Sequence, residues 1–194
     1  MTTIPILPHI KALIFDLDGT LADTMPAHYE AWVEVSKKYG IDFKESLFYQ
    51  LAGVPTFRIV EMLNEMYHTS MDPETVHEEK EQAFLRRIDQ VKPIAPVMKL
   101  VTENFGKMPI SVGTGGVPDV AKLTLEAIYA NQYFDIIVTA RDVKNYKPAP
   151  DTFLLCAQRM GVEPQYCQVF EDSDLGMQAA ISAGMTATDI RPFI

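Results

Sequence analysis

Residues 10–21 read Ile10-Lys11-Ala12-Leu13-Ile14-Phe15-Asp16-Leu17-Asp18-Gly19-Thr20-Leu21. The stretch 10–15 is a short apolar run that ends in acid, the pattern of a buried strand with charge at its carboxyl end. Beyond it the chain changes character. Ala27, Ala31, Trp32, Val35 and Tyr39 recur at helical spacing, with Asp23 or Thr24 as cap, Pro26 in the first turn and Gly40 as stop. Ile59, Met62, Leu63 and Met66 predict a second helix. Val76, Lys80, Ala83, Phe84 and Ile88 predict a third, opened by Asp72 and Pro73. No strand signal intervenes in this block. After a break at Lys92-Pro93-Ile94-Ala95-Pro96 the pattern alternates: helix 96–105, strand 109–113, helix 117–129, strand 135–139, helix 150–160, strand 167–170, helix 174–183 and a strand near 186–190. Such alternation predicts an α/β fold, a Rossmann-like parallel sheet flanked by helices. The helical block interrupts it after the first strand. The expected organisation is therefore a core of residues 1–22 and 94–194 with a small helical cap inserted at 23–93.

The chain of 194 residues is long enough for one full domain and such an insert, and 47% of it is apolar. Cys156 falls on the apolar face of a predicted helix and Cys167 at the entry to a predicted strand. Neither fits a zinc spacing, and both read as core thiols suited to a reducing cytoplasm. The N-terminus lacks a basic start, a continuous apolar stretch and a small-residue cleavage site, so it does not read as a signal peptide. A net charge of −9 argues against nucleic acid as partner, and no apolar run reaches membrane-spanning length. A small anionic partner remains compatible, because a local site can invert the global field.

In an open parallel sheet ligands bind beyond the carboxyl ends of the strands. Four such loops carry Asp16 and Asp18; Thr114, Gly115 and Gly116; Lys147 followed by Pro148-Ala149-Pro150; and Glu171, Asp172, Ser173 and Asp174. The acids crowd one rim and cannot all stay ionised without a cation. Mg2+, held by one or two carboxylates with waters and phosphate, is the expected ion. Asp174 reads instead as a helix N-cap. Thr114 with its glycines reads equally as an anion site or a plain capping turn. Lys147 alone reads as an ordinary loop lysine, and its prolines argue for a rigid loop that aims it. An oxygen nucleophile, a metal and cationic clamps together match phosphoryl transfer to a small phosphorylated metabolite.

These motifs, in this order, resemble the haloacid dehalogenase superfamily in its branch with a small helical cap: Asp16-Leu17-Asp18-Gly19-Thr20-Leu21, Thr114-Gly115, Lys147-Pro148-Ala149-Pro150-Asp151, and Glu171-Asp172-Ser173 with Gly176. The resemblance implies Asp16 as nucleophile and Mg2+ ligand. It implies Asp18 as general acid and then base, with its carbonyl on the metal. Thr114 and Gly115 would bind phosphoryl oxygens, Lys147 would pair with Asp16, and Asp172 with Glu171 would hold the metal. Residues 147–162 look like the small bacterial phosphatases of fructose 1-phosphate and 6-phosphogluconate. His28 to Trp32 and the stretch 51–54 are also similar to β-phosphoglucomutase, which leaves a mutase as the alternative. Thr20, where the mutase typically carries Val, favours the phosphatase. In the cap His28, Arg58 and Lys80 are candidate substrate contacts. Lys80 lies where the mutase has a substrate-contacting lysine, whereas Arg58 is out of register with its phosphate-binding arginine. His28 and Trp32, four apart on one helix face, would pack equally well against a core.

Two other classes share part of this pattern. A response-regulator receiver, a non-enzymatic phosphoaspartate module, also uses strand-end acids, a Thr and a Lys. It lacks an acid two residues after the nucleophile and lacks a cap. A hydrolytic dehalogenase needs no metal and lacks the second Asp.

Overall fold

The computed structural model describes residues 4–51 and 54–194. Ala52 and Gly53, part of the stretch compared above with the mutase, lie outside the described residues. In chain order the elements are β1 (Ala12–Phe15), β2 (Ala22–Asp23), α1 (Met25–Lys38), α2 (Glu45–Gln50), α3 (Thr56–Tyr67), α4 (Pro73–Leu85), β3 (Lys92–Pro93), α5 (Ala95–Asn104), β4 (Ile110–Gly113), α6 (Pro118–Ala127), β5 (Ile137–Val138), α7 (Asp151–Met160), β6 (Cys167–Glu171), α8 (Asp174–Ser182) and β7 (Thr186–Asp189). No helix among the described residues is long and apolar enough to cross a membrane.

Contacts divide the chain into two units. One ends at Asp23 and resumes at Lys92; the other is Thr24–Val91. The first unit holds a parallel sheet in the order β5-β4-β1-β6-β7, the expected Rossmann-like arrangement. All four residues of β1 are buried, as a central strand covered on both faces requires. Phe15 pairs in register with Phe170, and their rings stack at 5.0 Å and 14° while Phe134 meets Phe15 edge-on. Each such buried ring contributes about 1.5–3 kcal/mol of transfer free energy. Phe153, Cys156 and Ala157 of α7 and Ala179 and Ala180 of α8 join Ala12, Ile14 and Val169 in one core cluster. Small residues on α8 let it lie close to the sheet. Burial pushes the Cys156 thiol up to about 12 and that of Cys167 to about 11. Both are protonated core side chains, as their positions in the sequence suggested.

After β5 the chain returns across β1 to build β6 on the other side. Reversal of strand order at β1 opens a crevice at the carboxyl ends of β4, β1 and β6. The chain leaves and re-enters this unit side by side: Ala22 lies opposite Pro93 and Asp23 opposite Lys92 in the antiparallel β2–β3 ribbon. The sequence pattern carries no strand signal at either position.

In the second unit α1 and α4 are clasped by charge. Arg87 reaches Glu30 at 3.0 Å and Glu34 at 2.9 Å, and Arg86 also pairs with Glu34. Asp72 caps α4 by accepting the Thr75 N–H at 2.9 Å, as its position before Pro73 predicted. Trp32 is buried and stacks with Phe43 at 5.5 Å. Four points differ from the sequence expectations. Helix α2 was not predicted; it spans only six residues and buries only Phe48, too little for a periodic signal. Met66 points outward on α3, and Ile88 falls beyond α4 in a 3-10 turn. Strand β5 shrinks from 135–139 to two residues.

Candidate active site

The loops beyond the carboxyl ends of four adjacent strands, β5, β4, β1 and β6, bring the motif residues together. The Asp16 N–H donates to Phe170 O at 3.0 Å, which fixes Asp16 beside the end of β6. Glu171 closes β6 and Asp172 follows it. Oxygen atoms of Asp16, Glu171 and Asp172 lie within 4.8 Å of one another. Lys147 bridges two of these acids, with Nζ 2.6 Å from Asp16 Oδ1 and 2.7 Å from Glu171 Oε1. Its side chain is only 9% exposed and its Nζ also sits 4.7 Å from the centre of the Phe153 ring. The default reading of Lys147 as an exposed loop lysine is thus overturned. The loop that carries it is tied down on both sides. Asp142 Oδ2 accepts from Thr139 N and Oγ1 while Arg159 donates to Oδ1 at 2.6 Å; Asn145 Nδ2 donates to Asp151 at 2.9 Å.

Glu171 is held at both oxygens. Oε1 meets Lys147, and Oε2 accepts from Ser173 N at 2.7 Å and Ser173 Oγ at 2.9 Å. Ser173 Oγ in turn accepts from Gly176 N at 3.1 Å, so Ser173 is the N-cap of α8. This corrects the expectation for Asp174, which is the first helical residue and pairs with Arg191 at 2.9 Å. Gly176 is required by space: a Cβ there would sit 1.7 Å from Glu171 Oε1. Asp172 is gripped from the first motif, by Thr20 Oγ1 donating to Oδ1 at 2.8 Å. Gly19 adopts φ +83°, and a Cβ there would come within 2.2 Å of Asp172 Oδ2.

Asp18 stands apart from the three-acid group through its side chain. Thr114 Oγ1, buried beyond the end of β4, donates to Asp18 Oδ2 at 3.3 Å and accepts from Gly116 N at 2.9 Å. The loop Thr114–Gly116 therefore converges on Asp18, while α6 begins only at Pro118.

Electrostatics match this crowding. Burial pushes the Asp16 carboxyl well above the usual range; Lys147 opposes the shift, and Glu171, Asp172 and Asp18 add to it. Burial, then the charge of Glu171, raises Asp172 to about 6 despite the Thr20 hydrogen bond. The Lys147 ammonium loses stabilisation by burial, but Asp16 and Glu171 more than restore it and its pKa lies above the ordinary value. One lysine thus faces three carboxylates that resist shared ionisation. The donor set is all oxygen and clustered, so it fits a hard divalent cation.

The three candidates in the helical unit differ among themselves. His28 stacks on Phe84 with centroids 4.0 Å apart. Lys80 is buried, with Nζ 2.9 Å from Glu81 Oε1. Arg58 is exposed on α3 and pairs with Glu61 at 2.7 Å. Ser173 as cap and clamp was missed by the sequence reading, although Ser before a helix is itself a capping signal. The bond from Thr20 to Asp172 spans 152 residues, and no local pattern announces it.

A family model for haloacid dehalogenase-like hydrolases matches residues 13–190. The chain is 46% identical to the fructose-1-phosphate phosphatase YqaB of Escherichia coli (strain K12), covering 92% of this chain and 95% of that protein. It is 33% identical to a phosphorylated carbohydrates phosphatase of Thermotoga maritima, over 91% of this chain and 82% of the relative. A crystal structure of β-phosphoglucomutase from Clostridium difficile superposes with a TM-score of 0.80 at 28% identity, covering 93% of this chain and 84% of that one. With the motifs, the sheet and these matches in agreement, the chain belongs to the haloacid dehalogenase-like hydrolases.

Proposed function

We propose that the chain is a Mg2+-dependent phosphatase of small sugar phosphates, fructose 1-phosphate or 6-phosphogluconate, acting through an aspartyl-phosphate on Asp16. The observation that carries this reading is the buried Asp16 paired to Lys147 at 2.6 Å within a group of three acids. Similarity to the fructose-1-phosphate phosphatase supports the substrate class. Asp16, Glu171 and Asp172 would hold Mg2+, with the Asp18 carbonyl as the further donor implied by the family pattern. The bound cation supplies positive charge against the phosphoryl oxygens and relieves the repulsion among the acids.

Lys147 favours the anionic form of Asp16 against the upward push of burial and occupies Oδ1, which assigns the attack on phosphorus to Oδ2. The bond from phosphorus to the sugar oxygen breaks as the bond to Asp16 forms. Asp18, protonated at this stage, delivers its proton to the departing alkoxide. The Thr114 hydroxyl, 3.3 Å from Asp18, and the Gly115 N–H bind phosphoryl oxygens. In the second half Asp18 takes a proton from water, the water oxygen bonds to phosphorus, and phosphate leaves Asp16. His28 and Lys80 would read the sugar; Arg58, paired to Glu61 and exposed, is the weakest of the three candidates.

The mutase reading has one observation in its favour, the likeness to β-phosphoglucomutase. Both enzymes would need Asp16, Asp18 and Mg2+, and they differ in what attacks the phosphorylated aspartate. With Mg2+, the purified protein is expected to release phosphate from fructose 1-phosphate or 6-phosphogluconate. It is not expected to interconvert β-glucose 1-phosphate and glucose 6-phosphate, even with a bisphosphate primer. Rapid interconversion with negligible phosphate release from any sugar phosphate would replace the phosphatase by the mutase.

A further inference from the structure

Asp172 is the acid of the group whose orientation is set from furthest along the chain. Thr20 is fully buried, and its hydroxyl donates to Asp172 Oδ1 at 2.8 Å. The turn that presents Thr20 is itself fixed, by Gly19 N–H to Ala22 O at 2.8 Å and Thr20 N–H to Leu17 O at 3.3 Å. Its neighbour Gly19 lies against the other oxygen, with space for no side chain between them. Two successive residues thus set the surroundings of one carboxylate: Thr20 donates to Oδ1, and Gly19 leaves the room that Oδ2 occupies. Rotation of the carboxylate about its Cβ–Cγ bond would break the bond to Thr20. This is the construction expected around a ligand whose orientation matters.

We infer that Thr20 is a positioning residue for the metal site, directing Asp172 so that Oδ1 stays with the hydroxyl and Oδ2 is the oxygen given to the cation. The inference rests on the metal-dependent reading above. Thr20 needs no contact with substrate or cation for this role. It acts by sparing the cation the cost of ordering Asp172.

The test is calorimetric titration of Mg2+ into metal-free protein without substrate, comparing wild type with Thr20→Val, Thr20→Ala and Thr20→Ser. Val keeps the shape and deletes the donor. Ser keeps the donor. Thr20→Val is expected to weaken Mg2+ binding by about 10–100-fold, the usual effect of removing a group that orients a ligand. Thr20→Ser is expected to stay near wild type. With substrate, the Mg2+ concentration for half-maximal rate should shift by the same factor in Thr20→Val while KM for the sugar phosphate at saturating Mg2+ holds. A hydroxyl that only stabilises the fold would lower Tm equally with and without Mg2+ and leave the titration unchanged. Unchanged Mg2+ affinity in a folded Thr20→Val or Thr20→Ala protein overturns the inference while leaving the phosphatase reading intact. Failure of both to fold, with Thr20→Ser folding normally, overturns it in favour of a folding role. A wild-type protein that binds no Mg2+ removes the metal reading, and this inference with it.

Discussion

Asp16 and Gly176 make opposite demands on substitution, and both follow from distances at single atoms. Asn at position 16 is nearly isosteric and removes a charge that burial and three neighbouring acids already disfavour. Asp16→Asn is therefore expected to fold with an unchanged circular dichroism spectrum and to release no phosphate; normal turnover by the folded variant would sink the mechanism. Gly176→Ala runs the other way. Inside a helix, Ala is favoured over Gly by about 1 kcal/mol. Here the added carbon would lie 1.7 Å from Glu171 Oε1, the atom bonded to Lys147. Displacing a buried, paired carboxylate costs about 3–5 kcal/mol, so the clash wins. Gly176→Ala should lower Tm and reduce kcat at least tenfold, a change of about 1.4 kcal/mol in barrier. A more stable and fully active variant would show that Glu171 moves aside freely.

Between the residue and the molecule, α1 and α4 illustrate what a helix pair owes to charge. Hydrogen bonding from Arg87, then from Arg86, holds the Glu34 carboxyl below its ordinary value of 4.5. A depressed folded pKa means that the unfolded chain binds the proton first. The contribution of Glu34 is thus present above pH 4.5 and is lost as pH falls through the lower, folded value. Glu34 is 36% exposed, so solvent screening keeps the effect small. Tm measured from pH 7 down to pH 3 should show Glu34→Gln below wild type at the upper end and converging with it at the lower; a constant gap would dismiss the ion pair as the cause. Elements of this kind also mark how far the sequence could be read. Long periodic helices and the apolar strand before Asp16 were legible because one buried face repeats in sequence. Helix α2 and the β2–β3 ribbon were not, since six residues or two carry no period. The strand-end acids, Thr114 and Lys147 were legible as a set, because the sheet topology sends every strand end to one rim. The pairing of Lys147 with Asp16 was expected from the resemblance alone; its burial, its second bond to Glu171 and the Thr20–Asp172 bond were not, because local patterns are silent about meetings between loops distant in sequence. The cap of α8 was misassigned by one residue, to Asp174 instead of Ser173, because adjacent Ser and Asp are both good N-caps.

At the scale of the whole molecule, the first unit is discontinuous in sequence, and its two cut ends are paired. Asp23 lies opposite Lys92 and Ala22 opposite Pro93, so the helical unit leaves and returns at neighbouring points of an antiparallel ribbon. Antiparallel partners can be joined by a two-residue turn, best made by Asn-Gly. Among the described residues, the core cluster that joins α7 and α8 to the sheet is built from members of the first unit, with Phe153, Val169 and Ala180 among them. Replacing residues 24–91 by Asn-Gly should accordingly leave a chain that melts cooperatively and binds Mg2+, because Asp16, Asp18, Thr20, Lys147, Glu171 and Asp172 all remain. His28, Arg58 and Lys80 would be gone. The shortened chain is expected to hydrolyse an activated aryl phosphate slowly and to lose any preference among sugar phosphates, seen as equal kcat/KM across a panel that the full chain distinguishes. Sugar discrimination retained without residues 24–91 would move substrate recognition to the sheet unit. A shortened chain without a cooperative transition would mean instead that the ribbon closes the cut geometrically while the first unit still depends on the second for its stability.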